Sequence, residues 1–250
     1  MSKAERHRSA RERLAEQRRR EEQRRRRLRA LLVGVGAVAV IAVVAAAVVL
    51  IRSRGDEDAV ATAPLSRQPD GSVVMAQPGV TAPVLEIYED FQCPACKAME
   101  KETGTTIKKL AAEGKVKVVY RPFSLFRSMG EPVSGNSLRA LNASLCAPAD
   151  KWLAYHDKLF DEQGPENAKG FENADLIKWA AEVGITDEAF AACVEGTQRQ
   201  QQIDQANAAA DRAGVQGTPW VTLDGRRLGQ DAVFDAKGMR KAVENAKSKA

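Results

Sequence analysis

The first marked feature of the chain is an apolar run at 30–51, which comprises 22 residues without a charged residue or a proline. A helix of this length reaches about 33 Å, enough to cross the hydrocarbon core of a bilayer. The apolar cores of cleavable signal peptides are shorter, about 7–15 residues, although the alanines at 45–47 offer a cleavage site. We therefore predict an uncleaved transmembrane helix over 30–51 and a polar linker over 52–71.

Strand and helix patterns alternate after the linker, in a domain predicted to cover 72–250. A short strand at 72–75 precedes Val84 to Tyr88, a short apolar segment rich in β-forming residues. A helix from about Cys93 to Glu113 follows, and Val116 to Tyr120 has the alternation of a second strand. This order of strand, helix and strand predicts a parallel βαβ unit.

A purely helical segment, about 134–213, interrupts the strand pattern and is predicted to be an insertion. Within it, Asn173 is the predicted N-cap of an amphipathic helix. Strand character returns at Trp220 to Leu223, where Asp224-Gly225 predicts a tight hairpin turn, and a last helix is predicted over about 235–246. The predicted fold class is α/β with a helical insertion, preceded by a transmembrane helix.

Charge is concentrated at the start of the chain. Residues 1–29 hold 13 Lys/Arg and 5 Asp/Glu, whereas the whole chain holds 38 and 33, so the remainder carries a net charge of −3. Basic residues beside a transmembrane helix keep that side in the cytoplasm. We therefore predict a single-pass cell-membrane protein whose tail, 1–29, is cytoplasmic and faces anionic lipid. The bilayer explains the basic tail, so no nucleic-acid partner is predicted.

Cys93 and Cys96 form a CxxC pair at the predicted start of a helix. A zinc site would need further ligands, but the chain contains only His7, in the tail, and His156, and has no second CxxC, so no metal is predicted. Free N–H groups at a helix start stabilise a thiolate, which favours Cys93 as the reactive sulfur. Pro94 suits the first helical turn, and Cys96, one turn inward, would be the shielded, resolving thiol. The redox-active disulfide itself would be the only redox group, without a cofactor.

The sequence 91–96, Phe-Gln-Cys-Pro-Ala-Cys, lies between strand and helix, and 217–220, Gly-Thr-Pro-Trp, precedes the hairpin. Together with the helical insertion, this order resembles the DsbA-like branch of the thioredoxin superfamily over about 72–250. The resemblance implies an extracytoplasmic thiol–disulfide oxidoreductase that introduces disulfides into secreted or membrane proteins. It also implies a cis Thr218–Pro219 bond beside the redox pair, where backbone groups would bind an extended polypeptide substrate bearing cysteine thiols. A quinone-linked membrane partner would reoxidise the enzyme.

One position departs from the family pattern. Many relatives place an acidic residue six positions before the first cysteine, where this chain has Ile87. The nearby carboxyl groups of Glu86, Glu89 and Asp90 are the candidates for a proton relay, and the alternative is that they are solvated carboxylates at a strand end. His156 is predicted to lie on a packed helix face and not to act as a ligand or base.

The remaining cysteines, Cys146 and Cys193, are 47 positions apart in the helical region. In an oxidising compartment they are predicted to form a structural disulfide between two helices of the insertion. Two buried, unlinked thiols are the alternative, and four cysteines allow three connectivities.

Two other functions are compatible with the same residues. The first is a disulfide reductase or isomerase of the same fold. The second is a non-catalytic peptide-binding module, a holdase, that uses only the groove near Pro219.

Overall fold

The computed structural model describes residues 62–247. Its strands are β1 Leu65–Arg67, β2 Val73–Met75, β3 Val84–Glu89, β4 Lys117–Pro122, β5 Trp220–Leu223 and β6 Arg226–Arg227. Its α-helices are α1 Pro94–Met99, α2 Thr105–Ala112, α3 Val133–Cys146, α4 Trp152–Asp161, α5 Asn173–Glu182, α6 Glu188–Glu195, α7 Gln200–Arg212, α8 Gln230–Val233 and α9 Ala236–Lys247. A π-helical turn, Glu100–Gly104, joins α1 to α2, and a 3₁₀ turn spans Leu125–Ser128.

The predicted membrane segment lies outside the described residues, as do the basic tail and the first part of the linker, 52–61. Among the helices within 62–247, none has the length and apolar character needed to cross a bilayer.

The strands form one sheet in the order β1-β2-β4-β3-β5-β6. β3 and β4 are parallel, and the helical path α1 to α2 connects them, which confirms the predicted βαβ unit. All other neighbouring strands in this sheet are antiparallel. Along β3, Leu85, Ile87 and Glu89 share one face because side chains alternate, and all three are buried. β3 therefore lies in the middle of the sheet and delivers the CxxC segment at its end.

The sheet begins earlier than predicted, because β1 falls within the predicted linker 52–71. β1 pairs with β2, and the guanidinium of Arg67 donates hydrogen bonds to the carbonyl oxygens of Ser144 (3.0 Å) and Ala147 (2.9 Å) at the end of α3. The strand has only three residues, and these long-range bonds stabilise it. A local sequence pattern does not reveal such contacts, so this strand was not predicted.

The helix predicted from Cys93 to Glu113 is interrupted by the π-helical turn. The Thr103 hydroxyl lies 2.9 Å from the Met99 carbonyl oxygen and 3.0 Å from that of Val233 in α8. A hydroxyl that bonds back to the preceding turn competes with regular helix hydrogen bonding. The prediction of one regular α-helix was therefore wrong over this turn, although the helical path itself continues to Ala112.

The five helices α3 to α7 form the predicted insertion. α5 begins at Asn173 itself, and Glu172 occupies the N-cap position with extended backbone angles and no side-chain cap, so Asn173 is not the cap. Arg139 explains this shift, because it donates a hydrogen bond to the Phe171 carbonyl oxygen (2.9 Å) and pairs with the Glu172 carboxylate (3.1 Å). These two contacts with Arg139 hold the backbone and side chain of the residues that immediately precede α5.

The predicted hairpin joins β5 to β6. Asp224 and Gly225 both have positive φ, 49° and 75°, as a two-residue type I′ turn requires. The Asp224 carboxylate accepts a hydrogen bond from the Val84 N–H (2.8 Å), so the turn also holds the start of β3. α8, which was not predicted, follows the hairpin, and α9 closes the described part of the chain.

Candidate active site

The turn between β3 and α1 is built around the buried carboxylate of Asp90. This carboxylate accepts hydrogen bonds from the Gln92 N–H (2.9 Å), the Leu125 N–H (2.8 Å) and the Ser137 hydroxyl (2.6 Å). The Asp90 carbonyl oxygen accepts from the Cys93 N–H (2.9 Å). Burial raises the pKa of Asp90 to about 6, although these hydrogen bonds act in the opposite direction. Asp90, a predicted relay candidate, is therefore engaged in shaping the turn that presents Cys93.

The structure brings the predicted redox pair and the predicted substrate loop together. Cys93 occupies the N-cap of α1, with Pro94 in the first turn, and both cysteines of the pair are free thiols. Cys93 is 6% exposed, whereas Cys96 is 0% exposed. The Cys93 sulfur lies 3.4 Å from the Thr218 carbonyl oxygen, to which it can donate only in its protonated form, and the Thr218–Pro219 bond is cis. Cys93 is thus the sulfur nearer to solvent and to the Pro219 loop.

A groove of about 230 Å³ opens beside this loop. Ala95, Pro219 and Val233, the last in the unpredicted helix α8, are among its lining residues. Arg227 lies at the groove, with its guanidinium carbon 3.8 Å from the centroid of the Trp220 ring. The groove therefore combines apolar walls with one cation.

The two thiols of the pair have opposite electrostatic environments. The hydrogen bond from the Cys96 thiol is the largest cause that lowers the pKa of Cys93 to about 6, while burial acts against it. The Thr218 side chain and the N–H groups of Cys96 and Ala95 lower this pKa further. Burial raises the pKa of Cys96 well above its ordinary value. At neutral pH the pair therefore consists of a thiolate at Cys93 and a thiol at Cys96.

We predict that the thiolate absorbance of the reduced protein titrates with a pKa of about 6, which is assigned to Cys93. The anion is present above this pH and is lost as the pH falls below it, so the alkylation rate of Cys93 should follow the same curve. Ultraviolet titration of wild type and Cys93→Ala measures this difference. A pKa near the free-cysteine value of about 8.5 would contradict the prediction.

Two side chains that the sequence did not single out hold the CxxC segment in place. The Gln163 amide, just after α4, donates hydrogen bonds to the carbonyl oxygens of Phe91 (2.6 Å) and Cys93 (3.1 Å). The Lys97 ammonium donates to the carbonyl oxygens of Asp161 (3.1 Å) and Gln163 (2.9 Å). The insertion therefore fixes the redox loop, and no local motif signals such long-range bonds.

The other two relay candidates lie on opposite faces of β3. Glu86 accepts a hydrogen bond from Arg121 (2.9 Å), on the face away from Ile87. Glu89 is 0% exposed, and its Oε1 lies 2.9 Å from Nε2 of His156. Of the two, Glu89 is the carboxylate whose charge acts on the Cys96 thiol. Glu86 instead belongs to a half-buried ion pair, and the role of each as a relay remains a prediction.

His156 lies on a packed helix face, as predicted, but it also pairs with acids. Four aromatic rings surround the imidazole, with centroids 4.8–5.7 Å away: Phe91, Tyr120, Trp152 and Phe160. Burial by itself lowers the pKa of His156, but the Glu89 and Asp157 carboxylates outweigh burial and raise it to about 10. The two carboxylates therefore favour the protonated form of the buried imidazole. The sequence offered no signal for this pairing, since His156 and Glu89 are 67 positions apart.

Glu89, Glu100 and His156 offer three ligand atoms that lie within 4.8 Å of one another and could hold a metal ion. Two basic groups already face these carboxyl groups: His156, whose pKa the neighbouring acids raise to about 10, and the Lys108 ammonium, which lies 4.0 Å from a Glu100 oxygen. The same ammonium donates to the Asp157 carboxylate at 2.7 Å. Basic side chains of the protein therefore already occupy positions next to these carboxyl groups.

The structure contains the Cys146–Cys193 disulfide. It joins the last residue of α3 to α6, so it links two helices of the insertion.

Comparisons with known proteins agree with this geometry. DsbG of Mycobacterium tuberculosis, a disulfide bond oxidoreductase solved in its reduced form, has 25% identity and a TM-score of 0.58, over 75% of this chain and 85% of its own. MdbA of Corynebacterium matruchotii, a thiol-disulfide oxidoreductase, has 27% identity and a TM-score of 0.59, over 70% and 92%. Reduced DsbA of M. tuberculosis has 28% identity and a TM-score of 0.53, over 68% and 93%. No curated protein sequence matches significantly.

These neighbours confirm the thioredoxin-like α/β fold, and they belong to the enzyme class predicted from the sequence, the thiol–disulfide oxidoreductases. A family model described as Thioredoxin matches residues 79–245, which include the redox pair, the insertion and the Pro219 loop. Because this match covers more than half of the sequence, the chain belongs to the thioredoxin family.

Proposed function

We propose that this protein is a DsbA-type oxidase that introduces disulfide bonds into secreted or membrane proteins. The observation that carries the proposal is the placement of Cys93, a sulfur of lowered pKa at the edge of the Pro219 groove and 3.4 Å from the Thr218 carbonyl oxygen. A substrate thiolate attacks Cys93 of the oxidised pair, and Cys96 leaves. A second substrate thiolate then attacks the substrate sulfur of this mixed disulfide, so the substrate leaves oxidised and the pair reduced.

The lowered pKa of Cys93 also supports the oxidising direction. A stabilised thiolate at Cys93 stabilises the reduced form of the pair, and a more stable reduced form makes the disulfide a stronger oxidant. The pKa of about 6 for Cys93 lies below the value of about 7 for thioredoxin and above the value of about 3.5 for DsbA, so it favours a pair that is more oxidising than that of thioredoxin.

The location and the partners follow from the rest of the chain. We infer that the segment 30–51 anchors the protein in the cell membrane, with residues 1–29 in the cytoplasm and the catalytic domain outside. The Cys146–Cys193 disulfide supports an oxidising compartment. Extended polypeptides with cysteine thiols are the substrates, and a quinone-linked membrane protein accepts the electrons from the reduced pair.

We predict that the oxidised full-length protein converts a dithiol peptide to its disulfide with a stoichiometry of one, while its own Cys93–Cys96 bond is reduced. Its redox potential should lie closer to the value of about −120 mV for DsbA than to the value of about −270 mV for thioredoxin. Peptide fluorescence and equilibration with glutathione buffers measure these two quantities.

Each alternative function gives a different result in these assays. A potential near −270 mV, with efficient insulin reduction, would identify a reductase. Peptide binding without any conversion of thiols would identify a holdase. Either result would refute the proposed oxidase.

A further inference from the structure

The groove beside the redox pair has one charged side chain among its described lining residues, that of Arg227. We propose that Arg227 is a specificity-determining residue that binds a carboxylate of the substrate, so that the enzyme favours polypeptides with an aspartate or glutamate close to the reactive cysteine. The inference rests on the proposed function and extends it, because it names a class of substrate.

A row of alternating cations and aromatic rings crosses one face of the sheet. Tyr88 in β3 is paired in register with Arg121 in β4 on one side and with Trp220 in β5 on the other. Arg227 in β6 is paired with Thr222, which lies two positions from Trp220 and therefore on the same face. The Arg121 guanidinium carbon lies 5.7 Å from the centroid of the Tyr88 ring. The row thus has an arginine at each end, since Arg227 stacks on Trp220 in the same way.

The two arginines differ in their partners. Arg121 donates hydrogen bonds to the carboxylates of Glu86 and Asp70, each over 2.9 Å. Within residues 62–247, by contrast, the guanidinium of Arg227 has neither an ion pair nor a hydrogen bond, and its only recorded partner there is the Trp220 ring. Carboxylates therefore face the arginine at one end of the row, whereas the arginine beside the groove is left to bind one from outside.

The Arg227 guanidinium is held in place and remains accessible. The side chain is exposed, and β6 is an edge strand of the sheet. Trp220, on which it stacks, packs against a buried cluster that includes Tyr88 and Phe123. Stacking covers one face of a guanidinium and leaves the N–H groups at its edge free for bidentate binding of a carboxylate. A carboxylate therefore binds here with less loss of side-chain freedom than at a mobile arginine.

The position of this cation relates it to the reacting sulfur. Thr218, whose carbonyl oxygen lies 3.4 Å from the Cys93 sulfur, lines the groove together with Pro219 and Arg227. Trp220, which carries the guanidinium, directly follows Pro219 in the sequence. A residue of an extended chain spans about 3.3 Å, so we expect the bound carboxylate within about four positions of the substrate cysteine.

The test compares dithiol peptides that differ in one residue near the reactive cysteine. Glutamate, glutamine or lysine is placed one to four positions before or after it, and each reduced peptide is mixed with the oxidised full-length protein. The two peptide thiols form a disulfide, their electron pair reduces the Cys93–Cys96 bond, and their protons pass to Cys96 and to solvent. Mass spectrometry follows the peptide disulfide.

A charge near a thiol also changes the reactivity of that thiol. The rate of each peptide is therefore divided by its rate with oxidised glutathione, which gives a normalised rate. At one or more positions the glutamate peptide should react about fivefold faster than the glutamine peptide, as expected for an ion pair at an exposed site, and the lysine peptide should be the slowest. This preference should decrease at high salt, because salt screens exposed ion pairs.

Substitutions on β6 assign the preference to one side chain. In Arg227→Gln the glutamate and glutamine peptides should have equal normalised rates, and in Arg227→Glu the lysine peptide should become the fastest. Arg226→Gln is the matched control, because Arg226 is the neighbouring exposed arginine of the same strand but borders a different cleft, beside Leu223 and Asp224. It removes the same charge and should keep the wild-type preference.

Several results would overturn the inference. Equal normalised rates of all peptides with the wild type would do so, as would a glutamate preference that persists in Arg227→Gln or that Arg226→Gln loses to the same extent. If Arg227→Gln does not fold, a wild-type preference that is unchanged by high salt has the same meaning. A wild-type protein that oxidises none of the peptides would refute the proposed function, and this inference with it, whereas oxidation of all of them without preference refutes the inference alone.

Discussion

The full-length protein with Cys93→Ala is expected to lose thiol–disulfide exchange by on the order of 10³-fold or more, as enzymes do when they lose their nucleophile. In the Cys96→Ala protein, thiol–disulfide exchange is expected to stop at the mixed disulfide on Cys93. Cys93 lies beside the groove, whereas Cys96 is fully buried and cannot be reached by a polypeptide. The Cys96→Ala protein should therefore attack oxidised glutathione and retain it as a stable mixed disulfide, which intact-mass measurement detects.

The two substitutions control for each other, because each removes one sulfur from the same helical turn. Cys146 and Cys193 are paired with each other and contribute no free thiol. Equal activity of Cys93→Ala and wild type, or a mixed disulfide that forms on Cys93→Ala, would contradict the assignment of Cys93 as the attacking sulfur.

The second large effect concerns stability. Replacing both Cys146 and Cys193 with alanine should lower the free energy of unfolding by about 4 kcal/mol, because the bond closes a loop of 47 positions and restricts the unfolded chain. For a domain of this size the loss corresponds to a fall in melting temperature of about 8–16 °C. Urea denaturation followed by circular dichroism measures the change.

The matched control for that loss is Cys93→Ala/Cys96→Ala, which removes the other two sulfurs and leaves the Cys146–Cys193 bond intact. A chemical reductant should destabilise this control as strongly as the alanine substitutions destabilise wild type. A loss below about 1 kcal/mol would show that the bond contributes little to the unfolding free energy.

Features that depend on neighbouring residues could be predicted from the sequence. The CxxC at a strand-to-helix turn, the Asp224-Gly225 hairpin and the helical character of 134–213 all follow from local patterns, and the structure contains each of them. The resemblance to a family added the placement of Thr218 and Pro219 beside Cys93, which no periodicity could have indicated.

Features that depend on distant contacts could not be predicted. β1 requires Arg67 to bond with the end of α3, about 80 positions away, and the π-helical turn accompanies a contact between Thr103 and α8. The ion pair of Glu89 with His156 joins a strand to an insertion helix. A histidine among aromatic residues has the sequence signature of a core position, so its charge became evident only from the atoms around it.

The Gln163 and His156 contacts have a consequence for protein engineering. Helix α4 and the segment after it touch both the backbone of the redox loop and the acid behind it. Replacing the insertion with that of another protein would therefore change the surroundings of the redox pair as well as the substrate preference. A chimera that received a relative's helices should also have a different reduction potential at the Cys93–Cys96 pair. Substrate selection and reduction potential should therefore change together when these helices change.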